Sequence, residues 1–235
     1  MEEKYTQRTA WLLGKDNVQK LGEKKILLFG VGGVGSFVAE ALIRAGIGHL
    51  VLVDADVFEP SNINRQLGAT VITIGQPKVN AMKERLLMIN PTADIQTHQF
   101  FYLPETHRDF ISQIQPDYVV DAIDTVAAKI SIIEESYTLH IPVISSMGAG
   151  NKLHPEQFEI EKIEKTSVDP LAKKIRKELK QRGIKGILVV YSKEKPIIPQ
   201  KEETENASPG SISFVPGAVG LIIAGAVIRE LVQID

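Results

Sequence analysis

The chain has 235 residues and no cysteine. That absence excludes disulfides, a thiolate nucleophile, a Cys-ligated zinc or iron–sulfur site and a persulfide carrier. Aromatic residues make up only 6%. His98, His107, His140 and His154 form no metal-ligand pattern and read as structural or surface groups. No internal repeat is visible. The N-terminal stretch MEEKYTQRTAW lacks the basic-then-apolar pattern of a secretory signal, so a cytoplasmic location is the expectation. Neither sign of charge dominates, with 27 basic and 29 acidic side chains. What is present, 43% hydrophobic and 24% charged residues, is ordinary for a globular chain and too apolar for a disordered one. The length suits one large domain or one domain with an appendage.

Hydrophobic patterning gives a repeating order of strands and helices. A short helix over 5–20 leads in. Candidate strands cover 24–30, 49–56, 93–101, 117–124 and 141–150, and candidate helices cover 36–45, 78–89, 105–114 and 126–139. Short connections join them, with Gly46 and Asn90-Pro91 as stops. This pattern predicts a Rossmann-like α/β fold, a mostly parallel sheet with helices on both faces. The rhythm then changes. A half-exposed strand is predicted over 158–166, a helix over 170–181 opening at Asp169-Pro170, a strand over 186–192 and a polar loop over 193–211. The chain divides into a nucleotide-binding part, 1–150, and a C-terminal part, 151–235, read as one continuous domain.

The last apolar stretch runs for 17 residues without a charge, from Ile212 to Ile228, near the lower limit for a membrane span. Pro216 and Gly217 are expected to break it, leaving a core helix over 218–230 that closes against the sheet. No stable membrane insertion is expected. Charge is uneven along the chain. Residues 162–195 carry 11 basic and 4 acidic side chains, a local net of +7. Lys173, Lys174, Arg176, Lys177 and Lys180 lie around the helix 170–181, whose apolar face holds Leu171, Ile175 and Leu179. These five cations are candidate contacts to nucleic-acid phosphates, extended by Lys185, Lys193 and Lys195. Tyr191 and Phe214 are the rings weighed for base stacking.

The strongest local signal is Gly30-Val31-Gly32-Gly33-Val34-Gly35, which follows a strand and opens a helix. Gly30 permits the tight turn, Gly32 (with Gly33 beside it) lets a phosphate approach the backbone, and Gly35 allows close helix–strand packing. Asp54 ends the second strand, where a carboxylate meets ribose hydroxyls. Asp56 and Glu59 follow, and three acids beside a phosphate site require cations nearby. Arg65, in Ser61-Asn62-Ile63-Asn64-Arg65-Gln66, offers a rigid fork for phosphate oxygens. Lys78 stands at the first turn of a helix, unfavourably against the helix dipole, which suggests an anionic ligand. Asp124 closes a strand and is a candidate Mg²⁺ carboxylate or a helix N-cap; Asp121 reads as a supporting group. A nucleotide loop with arginine, lysine and a Mg²⁺ acid argues for ATP rather than a nicotinamide.

Together, Gly30-x-Gly32-Gly33-x-Gly35, Asp54 with Asp56, Asn62-x-Asn64-Arg65-Gln66, Gly75-x-x-Lys78 and Asp121-x-x-Asp124 resemble the adenylation domain of the E1-like (ThiF/MoeB/HesA) superfamily. Within it the chain is most similar to the tRNA threonylcarbamoyladenosine dehydratases. The stretch Lys165-Thr166-Ser167-Val168-Asp169-Pro170-Leu171-Ala172-Lys173 carries that finer likeness. The resemblance implies an E1-like adenylation fold with a C-terminal extension. It also implies ATP with Mg²⁺, and ATP-dependent cyclisation of N6-threonylcarbamoyladenosine at position 37 of tRNA. The threonyl carboxylate is adenylated and the ring closes within the substrate. The resemblance further implies a homodimer in which Arg8 reaches the partner's ATP. Asp54 would hold the ribose, Asn62 and Arg65 the phosphates, Lys78 the β and γ phosphates, and Asp124 the Mg²⁺, with Asp56 and Gln66 also among the expected nucleotide-binding residues. Arg8, Arg65, Lys78 and Asp124 are thus the expected catalytic residues, and a sulfur-transfer protein is a candidate partner.

The missing cysteines fit a reaction whose nucleophile lies in the substrate, since such a step gains from proximity. They exclude a thioester step and a Cys-x-x-Cys zinc site. Some dehydratase relatives carry a cysteine where this chain has GILVVYS, and its 193–211 loop is short for the branch. Three other functions compete: adenylation of the C-terminal glycine of a ubiquitin-like sulfur carrier, an ATP-binding scaffold without turnover, and an NAD-dependent oxidoreductase.

Overall fold

In the strand Lys25–Phe29 (β1), Ile26 and Leu28 face one way while Leu27 and Phe29 face the other, and all four are fully buried. A strand apolar on both sides needs a helical layer on each face. The computed structural model describes residues 3–198 and 209–234 and has that arrangement. β1 pairs in parallel with His49–Val53 (β2) and Tyr118–Asp121 (β4). Asp94–His98 (β3) joins β2, and Val143–Ser146 (β5) joins β4. Phe158–Lys162 (β6) closes the edge antiparallel to Leu188–Ser192 (β7), which pairs in parallel with β5. The sheet order is β3-β2-β1-β4-β5-β7-β6.

Two apolar layers follow. One contains Lys15–Glu23 (α2), Gly35–Ala45 (α3), Lys78–Ile89 (α4) and Phe214–Val232 (α8). The other contains Phe110–Ile114 (α5), Val126–Thr138 (α6) and Pro170–Gln181 (α7). The chain turns to one side of β1 to reach β2 and to the other side to reach β4. The crossovers therefore diverge, and a crevice opens beyond the carboxyl ends of β1 and β4.

Several elements differ from the sequence expectation. The lead-in helix is two helices, Gln7–Leu13 (α1) and α2, separated by Gly14 with φ 86°. The helix expected over 105–114 shrinks to α5. The strands predicted over 49–56 and 141–150 stop at Val53 and Ser146, which leaves Asp54, Asp56 and residues 147–150 on loops. The half-exposed strand predicted over 158–166 stops at Lys162, and a 3₁₀ turn covers Ile163–Lys165. The C-terminal helix is longer than expected, because Pro216 does not break it. Pro216 is its third residue, within the first turn, where a missing N–H costs no intrahelical bond. Part of the polar loop 193–211 lies outside the described residues.

α8 has the length and composition of a membrane-crossing helix, yet Val215, Val219, Ile223, Ala224 and Val227 are fully buried against the sheet and α3. Its apolar character is that of a core helix packed in protein. Ile223→Ala should lower the unfolding free energy by about 2–5 kcal/mol, the usual cost of a large-to-small change in a packed core. Urea denaturation followed by circular dichroism would measure it; an unchanged midpoint would contradict this packing.

Candidate active site

The turn after β1 begins with Gly30 at φ 86°, its N–H donated to Val53 O at 2.8 Å. A side chain at Gly30 would meet the Ala122 carbonyl at 2.7 Å. A side chain at Gly35 would lie 1.8 Å from the Gly30 carbonyl oxygen. Only hydrogens fit at both positions, so the first turn of α3 sits directly on the strand end. The N–H groups of Gly32, Gly33 and Val34 make no hydrogen bond to any described residue and remain free at the mouth of α3.

A cleft of about 540 Å³ opens above this turn. Its walls include Gly30, Gly32 and Gly33 of the nucleotide loop, together with Asp54, Asp56, Asn62, Arg65, Gln66, Lys78 and Asp124, whereas Gly35 does not line it and is buried at the start of α3. Arg8 is not among them; it is exposed on α1. Glu59 is also outside the cleft lining, at the cap of the 3₁₀ turn Pro60–Asn62.

Asp54 ties the second strand to the glycine loop. Its Oδ2 accepts the Val31 N–H at 2.7 Å and its Oδ1 the Asp56 N–H at 2.9 Å. Burial raises its pKa, against the lowering effect of these two N–H groups and of Lys78. Lys78 is 6% exposed and its ammonium lies 2.8 Å from Asp56 Oδ2, whose own side chain is 65% exposed. Lys78 is thus the cation that the sequence required beside Asp54 and Asp56.

The 61–66 segment divides its work. Asn62 is buried and its Oδ1 accepts the Glu59 N–H at 3.1 Å, so part of its amide is spent on the turn. Arg65 donates from one nitrogen to Ser61 O and Asn64 Oδ1, both at 2.8 Å. The stem of the side chain runs beside Gly33, where a Cβ would lie 3.5 Å from the Arg65 Cγ. Gln66 is buried with a side-chain oxygen that has no hydrogen-bond partner among the described residues, and its amide faces Gly32. A buried oxygen left unpaired at a cleft wall is suited to accept from a ligand donor.

Across the crevice, Asp124 is exposed and bonded only weakly to Thr125 Oγ1, at 3.4 Å. The N-cap position of α6 belongs to Thr125, so the N-cap role weighed for Asp124 is not realised. Asp121 is wholly buried and accepts from Lys129 Nζ at 2.9 Å, Ser145 Oγ at 2.6 Å and the Ile123 N–H at 3.2 Å. It is the supporting group, and it fixes the β4–α6 turn on which Asp124 stands. Lys129 and Ser145 went unrecognised in the sequence. A lysine among Ala127, Ala128, Ile130 and Ile132 was the available signal.

The third wall is aromatic. Phe100, Phe101 and Tyr102 line the cleft beyond β3. Burial, with the Glu135 carboxylate 3.1 Å from its hydroxyl, pushes Tyr102 up to about 12. His98 packs edge-on against Phe110 at 5.0 Å, and burial lowers its pKa. His107 stacks on Phe100 at 4.1 Å. No signal in the sequence singled out this wall. Among the described residues no three acidic, histidine or cysteine side chains group as a metal cage.

The chain matches the model of the ThiF family over residues 5–235. It is 41% identical to a tRNA threonylcarbamoyladenosine dehydratase of Bacillus subtilis, with 96% of this chain and 94% of that protein covered. The chain belongs to the ThiF family, among its tRNA threonylcarbamoyladenosine dehydratases. Its fold superposes with a TM-score of 0.91 on the Escherichia coli dehydratase TcdA solved with AMP, at 31% identity over 98% of this chain and 95% of that one. The same score is found for TcdA solved with ATP, at 30% identity.

In this dehydratase the basic helix α7 stands apart from the glycine loop, on the face shared with α6. Ala172, Ile175 and Leu179 are buried, while Leu171 reaches the cleft. Lys173, Lys174, Lys177 and Lys180 are exposed, and their side chains make no hydrogen bond or ion pair with any described residue. Lys173, Lys177 and Lys180 share one face by their i, i+4, i+7 spacing. Arg176 turns inward and donates to Thr166 O at 2.8 Å.

Lys129→Met would strand the Asp121 carboxylate in the core. The expected loss is about 3–5 kcal/mol of stability, as for other broken buried pairs. Equilibrium denaturation of the variant would measure it, and a loss below about 1 kcal/mol would mean that water reaches Asp121.

Proposed function

We propose that the cleft binds ATP and uses it to activate the carboxylate of the threonylcarbamoyl group on a tRNA adenosine. The observation that carries this reading is the convergence on one crevice of free loop N–H groups, Arg65, Lys78 and, from the opposite wall, Asp124. Phosphoryl chemistry on a carboxylate needs chiefly positive charge and alignment. Lys78 is held ready by a carboxylate that is itself solvated, so an incoming phosphate can take over as its partner. Arg65 is braced by its own loop and loses little freedom on binding. The unpaired Gln66 oxygen and the free N–H groups supply further polar contacts.

Mg²⁺ fits the donor set. The ion commonly binds through one or two carboxylates plus substrate phosphates, and Asp124 is a single exposed carboxylate facing the loop across the cleft. When bound, the ion would neutralise charge on the phosphate oxygens. Asp124 would hold it, with Asp121 and Lys129 keeping the Asp124 turn in place.

In the reaction, a carboxylate oxygen of the substrate bonds to the α-phosphorus of ATP and pyrophosphate leaves. A nucleophile in the same substrate side chain then attacks the activated carbonyl carbon. AMP departs with the former carboxylate oxygen, and the net change in the nucleoside is loss of one water. No protein nucleophile is needed, in keeping with the absence of cysteine. α7 would take the RNA backbone on Lys173, Lys177 and Lys180, with Lys174 beside them.

Two further parts belong to this reading. Arg8 would serve the cleft of a second copy: it lies outside its own cleft, on a helix where Trp11 and Leu12 are 70% and 84% exposed and available for an apolar contact. A cytoplasmic location, where modified tRNA and ATP are both at hand, accords with it. A sulfur-transfer partner stays a proposal carried by the family resemblance.

The test is mass spectrometry of nucleosides from tRNA bearing threonylcarbamoyladenosine, incubated with the protein and Mg-ATP. Loss of one water from that nucleoside, matched by AMP release, is expected; an unchanged nucleoside would remove the reading. Asp124→Ala should stay folded and lose about 10²–10³-fold in kcat, the scale of removing one group that stabilises developing charge. Replacing Lys173, Lys177 and Lys180 together by alanine should flatten the salt dependence of tRNA binding. The expected change is about 2–3 in the slope of log affinity against log salt, near one per phosphate contact. An unchanged slope would place the RNA elsewhere.

A further inference from the structure

Asn151 and Lys152 follow directly on the cleft loop 147–150 and join four segments. Asn151, at φ 59°, donates its N–H to Gly210 O at 2.8 Å and accepts the Gly210 N–H on Oδ1 at 2.6 Å. Its carbonyl accepts the Ile197 N–H at 2.7 Å. Lys152 points the other way. Its side chain is 1% exposed; its ammonium lies 2.9 Å from Asp169 Oδ2, donates to the Gly148 carbonyl, and stands 5.3 Å from the centre of the Phe158 ring. Asp169 is equally buried and spends its other oxygen on the Ala172 N–H, 2.9 Å away, capping α7.

Capping alone does not account for this pair. A neutral serine or asparagine caps a helix as well as aspartate does, and the desolvation of a buried lysine and carboxylate can exceed what their attraction returns in stability. What the pair adds is registration. Gly148 and Leu171 both line the cleft, and Lys152 fixes the first to the helix turn that carries the second. The residue before Asp169 is under tension: Val168, β-branched and 48% exposed, is held at φ 61°. That conformation is rare for such a side chain and persists only where neighbours over-determine it. Lys152 and Asp169 join the loop after β5 to α7 and, among the described residues, make no hydrogen bond or ion pair to Asp54, Arg65 or Lys78. The Asn151–Gly210 junction does reach that wall, where Asn64 donates to Ser211 O at 3.0 Å.

We propose that Lys152 and Asp169 are positioning residues for the tRNA substrate. They lock the first turn of α7 to the cleft wall at Gly148. The modified nucleoside then meets the nucleotide at a fixed offset from the lysine face that holds the RNA backbone. This inference rests on the dehydratase reading.

The test is the double variant K152M/D169N, which removes both buried charges and keeps an N-cap acceptor. Melting curves would report folding, calorimetry the ATP affinity, and steady-state kinetics the parameters for ATP and for modified tRNA. A purely structural pair would lower both substrates' parameters together. The positioning role predicts ATP affinity within about twofold of the parent protein and kcat/KM for tRNA lower by about 10–100-fold, the scale of a small misalignment of reacting groups. Unchanged kcat/KM for tRNA, or a parallel loss for ATP, would overturn it. Should the double variant not fold, Leu171→Ala decides, since it leaves the pair intact and removes the side chain the pair presents to the cleft. Selective loss for tRNA supports the role, and no loss overturns it. An inactive parent protein would instead bring down the dehydratase reading, and this inference with it. An active parent with an equally active double variant removes the inference alone.

Discussion

The contact between the end of β1 and the first turn of α3 is the constraint on which the site depends. With the Gly35 Cα pressed over the Gly30 carbonyl, there is no room for a methyl group at either residue. This closeness aims the unbonded N–H groups of the loop into the crevice and puts Val31 within reach of Asp54. The second strand is thereby held in register with the loop by a side chain as well as by the sheet. Ser36, on the same turn, accepts the Leu67 N–H at 3.2 Å and so draws in the segment that carries Arg65 and Gln66. Three of the four binding segments on that wall are thus referenced to one helix terminus.

Three buried lysines surround the cleft, each with an aspartate. They differ in how free the partner is. Lys129 and Asp121 are sealed from solvent, as are Lys152 and Asp169, so each pair behaves as a fixed strut. Lys78 is sealed but Asp56 is open to water. Only in that pair can the carboxylate leave for solvent while an incoming anion replaces it. The same chemical pairing therefore serves as scaffold at two positions and as an exchangeable ligand contact at the third.

The strand–helix rhythm, the glycine loop and the polar clusters were legible in the sequence because each is local. A period of two or of about four, a glycine run after an apolar strand, and a charge at a strand end are all visible within ten residues. The limits of the elements were less legible. Pro216 reads as a breaker unless its place in the first turn is known, and Gly14 reads as tolerable until its φ is seen. The aromatic wall and the Lys129–Asp121 pair lie within short stretches of chain, but nothing local shows which way those side chains turn. The Lys152–Asp169 pair was not legible because it joins residues far apart. Asp169 meets Lys152 across 17 positions and Ser145 meets Asp121 across 24. The stretch 165–173 could be singled out for family likeness, but its mechanical role needed the fold. Arg176 counted as one more cation on a basic helix until the structure turned it inward onto Thr166.

Asn151 holds Ile197 and Gly210 side by side, one on its carbonyl and the other on its N–H and side chain. The ends of the intervening segment are therefore fixed by a single residue of the cleft loop. Closing a longer loop between such ends costs little, about 0.6 kcal/mol for each doubling of length. The hydrogen bonds that fix these two ends on Asn151 involve neither the glycine loop nor the two sealed pairs. The rim of the cleft next to Pro209 and Ser211 is then the place where related chains can vary in length at almost no cost to folding.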